Sequence, residues 1–355
     1  MLISVWLLIF FIGLSSIFVN NQMLFSRRFY ILTLVLIIFV GFRDGSFLPD
    51  YSNYLDLFKS YSESRFSILH FSFNDGLIEP SFQLICFIAY KISDSSIFLF
   101  LIYAALSIII KFKAINELSS LLLYSIFIYL CNFFILHDLI QIRAGVAAGF
   151  ALLSIKSAFD KDLKAFLIYY ILAIFFHQTA IIVGLLFFLD GNKFNKKVWV
   201  FIIPLVYLIH FMGFAFSNLI AKIPVDYVQL KYSQYEVLRE NSYVFETNIF
   251  NTIQLIRILV CYLLIYYYDR IIQYNKYFNI LLKSFIVGIS SFVLFANYHV
   301  YAYRISELFL YSEIILIPLF VKVYPKSIVF RIIPILIGLA FAYINLIYLH
   351  LIQKI

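Results

Sequence analysis

Three short stretches set arginines among carboxylates, histidines and tyrosines in a chain that is otherwise apolar. They are RDGSFLPDYSNY at 43–54, HDLIQIRAG at 137–145 and NYHVYAYRISE at 297–307. A guanidinium is a planar fork that grips phosphate oxygens in pairs. A carboxylate or imidazole within reach of a hydroxyl can take its proton. Together these residue types suit a polar, anionic ligand. A fourth stretch, FHQTA at 176–180, sets His177 between two apolar runs.

Each residue has a plainer reading beside the chemical one. Arg43 follows an apolar run and could simply snorkel to the interface, yet Asp44, Asp50, Tyr51 and Tyr54 follow it closely. Arg143 opens the run RAGVAAGFALLSI, where the positive end of a helix would support an anion. Its alternative is a structural ion pair with Asp138 or another carboxylate. Gly145 and Gly149 in that run form a G-x-x-x-G, reinforced by Ala144, Ala148 and Ala151, and small residues so spaced let a second helix approach closely. His177 is either a hydrogen-bonded packing residue or a base or ligand contact. Arg304 and Glu307 stand three apart, so they could pair on one helix face; equally, Arg304 beside Tyr301 and Tyr303 could bind phosphate next to a sugar.

These residues need a frame, and composition supplies it. Of 355 residues, 64% are hydrophobic and 13% charged. A soluble domain of that length cannot hide so much apolar surface, which leaves the bilayer as solvent. The apolar runs are continuous rather than alternating, so the expected class is all-α, a polytopic integral membrane protein. The net charge of +8 comes from short Lys/Arg loops between spans and is not a nucleic-acid signal. Cys86, Cys131 and Cys261 lie singly in apolar runs, as buried small hydrophobes and not as a disulfide or metal framework. No P-loop, H-E-x-x-H or zinc spacing occurs. The D-x-D at 160–162 lies in a short basic turn and is set aside.

Spans are expected at about 2–19, 29–42, 77–92, 96–112, 118–136, 143–159, 163–175, 177–189, 198–216, 252–268, 279–297, 304–321 and 327–349. That makes about 11–13 transmembrane or re-entrant helices in a single domain. The first run lacks a basic region before it and a small-residue cleavage site after it, and reads as a retained span. Residues 163–189 fit one tilted helix or two short ones broken near Phe176–His177. Two segments, 43–76 and 217–251, are too polar to span and too aromatic to be plain linkers; they read as amphipathic external loops. Placing SRR at 26–28, KFK at 111–113, 156–164, 192–197 and 321–326 all on the cytoplasmic side requires one segment before 112 to turn back. The stretch 77–92, opening on Glu79-Pro80, is the candidate.

In order and spacing, the chain resembles the Wzy-type polymerases of O-antigen and capsular polysaccharide, in their EpsG-like branch. An R-x-x-x-G-x-D-Y-x-x-Y element after the second span is matched by Arg43 to Tyr54, lengthened here by FLP before Asp50-Tyr51. A Glu-Pro-aromatic opening is matched by Glu79-Pro80-Ser81-Phe82. An I-R-x-x-x-A helix is matched by Ile142-Arg143 through Ala147. An A-x-x-F-H-x-[ST]-A element is matched by Ala173, Phe176, His177, Thr179 and Ala180, and a late helix-opening arginine by Arg304.

The resemblance implies a GT-C-like fold in the bacterial inner membrane. It implies an enzyme that joins oligosaccharide repeat units carried on undecaprenyl pyrophosphate at the outer face, without a cofactor or metal. The growing chain would pass from its lipid onto a new unit. A chain-length regulator and a flippase would be partners in the same membrane. On that reading Arg143, Arg304 and then Arg43 neutralise the pyrophosphate. Asp50, His177 and Glu79 are the catalytic candidates. Tyr51, Tyr54, Tyr232 and Tyr235 stack on sugar rings. The rivals are a flippase or exporter of the same unit, which needs cations through the depth of the bundle, and an O-antigen ligase, which shares the donor but not the acceptor.

Overall fold

The computed structural model describes residues 1–18, 27–63, 78–214, 233 and 247–352. Residues 64–77, most of the 217–251 segment, and with it Tyr232 and Tyr235, lie outside the described residues. Among the described residues the chain is helical and holds no strand. In order come α1 (Leu2–Phe18), α2 (Arg27–Gly41), α3 (Tyr51–Glu63), α4 (Pro80–Ile92), α5 (Ile97–Leu118) and α6 (Leu122–Cys131). A π-helical turn (Phe134–Asp138) leads into α7 (Ile142–Asp160) and α8 (Leu163–Phe176), then a 3-10 helix (Gln178–Phe188). After α9 (Lys196–Phe211) follow α10 (Thr252–Tyr266), α11 (Phe278–Leu294), α12 (His299–Leu310) and α13 (Ile328–Tyr343), which ends in a second π turn (Ile344–Tyr348).

Local chemistry sets several helix starts. Asp162 accepts from the Ala165 amide at 3.0 Å, and Asn251 from the Gln254 amide at 3.0 Å, each capping a helix by a side-chain oxygen. The outward surface is apolar: Phe10, Phe11, Phe188, Phe201, Leu336 and Val329 are exposed. Apolar surface on that scale is stable only against lipid. Three helices, Ile97–Leu118, Ile142–Asp160 and Ile328–Tyr348, are long and apolar enough to cross a membrane. The protein is thus the all-α membrane protein its composition calls for.

Two interhelical contacts orient the bundle. Helices α5 and α7 run parallel. A Cβ on Gly145 would lie 3.1 Å from Ser107 Oγ, one on Gly149 2.9 Å from Ile110 Cγ2, and Lys156 reaches Glu117 at 3.1 Å. The G-x-x-x-G is the seam against α5, as its spacing predicts. Helix α2 runs antiparallel to α5, with Phe29 on Phe112 at 5.1 Å and Gly41 against Leu101. The start of α2 and the ends of α5 and α7 therefore share one end of the bundle. It follows that the chain between α2 and α5 leaves and re-enters at the opposite end. Within it α4, 13 residues long, measures about 20 Å at about 1.5 Å per residue, short of the ~30 Å hydrocarbon core.

One sequence expectation changes here, and one left open is decided. KFK at 111–113 is not a loop: α5 continues to Leu118, and Lys111 is fully buried. The run stays helical because Asp138 receives the lysine inside the bundle. Of the two readings of residues 163–189, the structure takes the two short helices broken at Phe176–His177. They form a hairpin: Tyr170 OH donates to the Ile181 carbonyl at 2.9 Å, and Lys161 Nζ to that of Phe187 at 2.8 Å. The reversal falls at His177, whose backbone is extended (φ −154°, ψ 117°).

Candidate functional site

The bundle carries its candidate residues to helix starts. Asp50 precedes α3, and its carbonyl accepts from the Tyr54 amide at 3.1 Å. Glu79 directly precedes α4, whose first residue is Pro80; proline suits that position because its missing N–H is not needed there. Arg143 is the second residue of α7, His177 sits at the hairpin tip, and Arg304 lies in the second turn of α12. The positive ends of α4 and α7 thus face one place.

Glu79 ties three elements together. One carboxylate oxygen accepts from Arg143 Nη1. The other meets His177 Nδ1 at 2.8 Å. Glu79 is only 4% exposed, so this double engagement is what makes its burial tolerable. The Arg143 guanidinium carbon also lies 5.7 Å from the Tyr54 ring centroid and 5.5 Å from that of Phe82. A neutral His177 that donates from Nδ1 to Glu79 keeps a lone pair on Nε2. That Nε2 is buried and meets no hydrogen-bond partner among the described residues.

His177 and Arg304 line a narrow, partly open recess with His137, Ala144, Glu307 and Leu308. Asp50 stands within the field of Arg304 and Arg143. Burial raises its carboxyl above the ordinary value, while those two arginines pull it back down.

The site thereby unites Asp50, Glu79, Arg143, His177 and Arg304, with Tyr54 behind Arg143. Tyr54 is 4% exposed, packed behind the Arg143 guanidinium. Arg43 and Tyr51 form an adjoining layer on Phe100. The Arg43 guanidinium sits 4.6 Å above that ring and donates to the Val40 carbonyl at 2.6 Å. Tyr51 stacks on the same ring at 4.8 Å.

Sequence reasoning left three buried networks unassigned. Asp138 receives Lys111 at 2.7 Å, Tyr129 OH at 2.6 Å and Ser107 Oγ at 2.5 Å. Glu313 receives Arg257 Nε at 2.8 Å and Asn132 Nδ2 at 2.7 Å. Glu307 meets His137 Nε2 at 2.9 Å, and His137 Nδ1 meets Tyr311 OH at 2.6 Å. The signal was present: a charge inside an apolar run has to find a partner, and Lys111, Asp138, Arg257 and Glu313 all lie in or beside such runs.

Comparison with known proteins agrees with the resemblance read from the motifs. The EpsG family model matches residues 26–355. The amylovoran biosynthesis protein AmsC of Erwinia amylovora is 23% identical over 313 residues, covering 83% of this chain and 78% of that protein. No solved structure matches the chain.

Proposed function

Because the chain belongs to the EpsG family, we propose that it is a glycosyltransferase of polysaccharide biosynthesis, a polymerase of lipid-linked repeat units. Its substrate would be an undecaprenyl-pyrophosphate-linked oligosaccharide, handled at the outer face of the bacterial inner membrane. The observation that carries the reading is the convergence of Arg143 and Arg304 on His177 at one end of the bundle. A likeness to a protein named for amylovoran biosynthesis supports the same product class.

In this mechanism the arginines hold the pyrophosphate. The acceptor hydroxyl attacks the anomeric carbon of the donor. The carbon–phosphate-oxygen bond breaks, and its electron pair stays on the pyrophosphate. Arg143 and Arg304 meet that growing charge, so no metal is required for it. The hydroxyl proton goes to His177 Nε2. Glu79 holds the ring through Nδ1 and stabilises the imidazolium, as an orienting carboxylate does in other histidine bases. Glu79 is thus a positioning residue, tied at once to the base and to the phosphate clamp. Asp50 is placed to accept a hydrogen bond from the acceptor sugar.

The test is deletion of the gene in its host, with the surface polysaccharide run on a gel. Complementation uses wild type and Arg143→Ala, matched for protein level. A ladder that collapses to one repeat and returns only with wild type supports the polymerase. Complete loss of surface repeats points to a flippase instead, and long chains held on the lipid carrier to a ligase. A fully active Arg143→Ala removes the arginine from its assigned place.

A further inference from the structure

The return limb of the hairpin is wound as a 3-10 helix over 11 residues, Gln178–Phe188. Long runs of that winding are uncommon, because its hydrogen bonds are poorer than those of an α-helix. Length explains it here. The outgoing limb α8 has 14 residues, or about 21 Å at about 1.5 Å per residue. The 11 residues of the return limb reach about 22 Å as a 3-10 helix but only about 16 Å as an α-helix. The return limb therefore matches α8 only in the longer winding.

Both ends of the limb are docked. At the far end Lys161 Nζ donates to the Phe187 carbonyl at 2.8 Å, and Lys283 Nζ to that of Asp190. At the tip His177 Nδ1 meets Glu79 at 2.8 Å. The tip is the costlier dock. His177 Nε2, Gln178 Oε1 and Thr179 Oγ1, from three consecutive residues, are buried with no hydrogen-bond partner among the described residues. Polar atoms buried in that way cost free energy. The recess at His177 is also too narrow for a water molecule. The proton transfer assigned to Nε2 thus needs a second, wider state. Between the docks, Tyr170 OH donates to the Ile181 carbonyl at 2.9 Å. Residues Ala180 to Phe188 are all apolar or glycine, so a limb turned about its axis shows lipid no new polar side chain.

We propose that this limb is a gate. Rewinding from 3-10 to α shortens it by about 0.5 Å per residue. With the lysine end fixed, the shortening draws His177 off Glu79 and opens the site to its ligand. The winding described here is the closed state. The inference rests on the place given to His177 in the reading above, and it adds how that site is reached.

The test needs no substrate. Spin labels are placed on Leu163→Cys, at the start of α8, and Ile181→Cys, near the tip, both at exposed positions. Their separation is measured in the detergent-purified protein. In parallel, the rate at which diethyl pyrocarbonate modifies His177 is followed by peptide mass spectrometry. The otherwise wild-type protein should show two separations, the shorter one from the α-wound limb. Gly184→Ala sets a methyl 3.2 Å from the Tyr170 hydroxyl in the 3-10 winding and raises helix preference. Tyr170→Phe removes the tie at Ile181 and adds no bulk. Each should enlarge the shorter population and speed His177 modification roughly five-fold, the factor that such a helix preference or one hydrogen bond is worth. A separation that stays single, or a modification rate that does not follow the shorter population, overturns the gate. The role of His177 as base fails separately, if His177→Gln leaves polymer formation unchanged.

Discussion

Two buried charge clusters flank the start of α7, and they are built to opposite ends. Around Asp138 every contact is inward. Lys111, Ser107 and Tyr129 all bond its carboxylate, and the side chains of the ion pair are 0% exposed. Around Glu79 the contacts converge but do not close. Arg143 and His177 share its carboxylate, while His177 Nε2 has no hydrogen-bond partner among the described residues and lies at a recess. Both clusters join helices through charge. Only the second leaves a reactive atom unspent. Buried charge alone therefore does not mark a site in a membrane protein; an unfinished hydrogen-bond set beside a cleft does.

That contrast can be broken most forcefully at Lys111. Lys111→Met strands the Asp138 carboxylate in an apolar interior, which should destabilise the fold by about 3–5 kcal/mol. Thermal unfolding of the detergent-purified protein would read the loss. Lys111→Met with Asp138→Asn should recover most of it, since no charge is left unpaired and the amide oxygen can still accept from Tyr129 or Ser107. If the double variant is no better than the single one, the cluster is more than an anchor. His177→Gln is the opposite case. It should leave unfolding near wild type and cut polymer formation by about 100-fold or more, the lower range for loss of a general base. Polymer yield per unit of folded protein checks it, and equal activity would return His177 to a packing role.

The same contrast explains what could be read from the residues alone. The membrane class and the helix positions follow from continuous apolar runs, a strong and local signal. The seam between α5 and α7 was legible because Gly145 and Gly149 have no other use at that spacing. Partners were not legible. Arg143 could have paired with Asp138 five residues before it, yet it takes Glu79, and Asp138 goes to Lys111. The π-helical turn decides this, because its wider winding sends His137 and Asp138 to different neighbours. Nothing in the residue types of 134–138 announces that winding. For the same reason Lys111 reads as a loop lysine until its partner is seen.

A smaller effect is expected where the two clusters are held in register. Gly149 lies on the α5 seam beside Ile110 and Lys111; a Cβ there would sit 2.9 Å from Ile110 Cγ2 and 3.3 Å from Lys111 Cγ. Gly149→Val overpacks that seam and should cost about 1–3 kcal/mol. Because α7 carries Arg143 at its start, activity should fall further than stability alone explains. Matching losses in the unfolding temperature and in polymer yield at low temperature would instead mean that the site tolerates a shifted α7.

The finest test concerns charge between the site's own members. Asp50 is pushed above its ordinary value by burial, and Arg304 and Arg143 oppose that push. If Asp50 must be ionised to hold the acceptor, polymer formation rises with pH as Asp50 loses its proton. The acidic limb of the profile then sits above the ordinary carboxylate range, near 4. Arg304→Gln removes one of the charges that favour ionisation. The remaining activity should therefore need a higher pH to appear, and the limb should move up. Asp50→Asn should abolish the limb and lower the plateau. A limb that stays in place in Arg304→Gln and survives in Asp50→Asn belongs to another group. The acceptor contact would then have to be sought away from the start of α3.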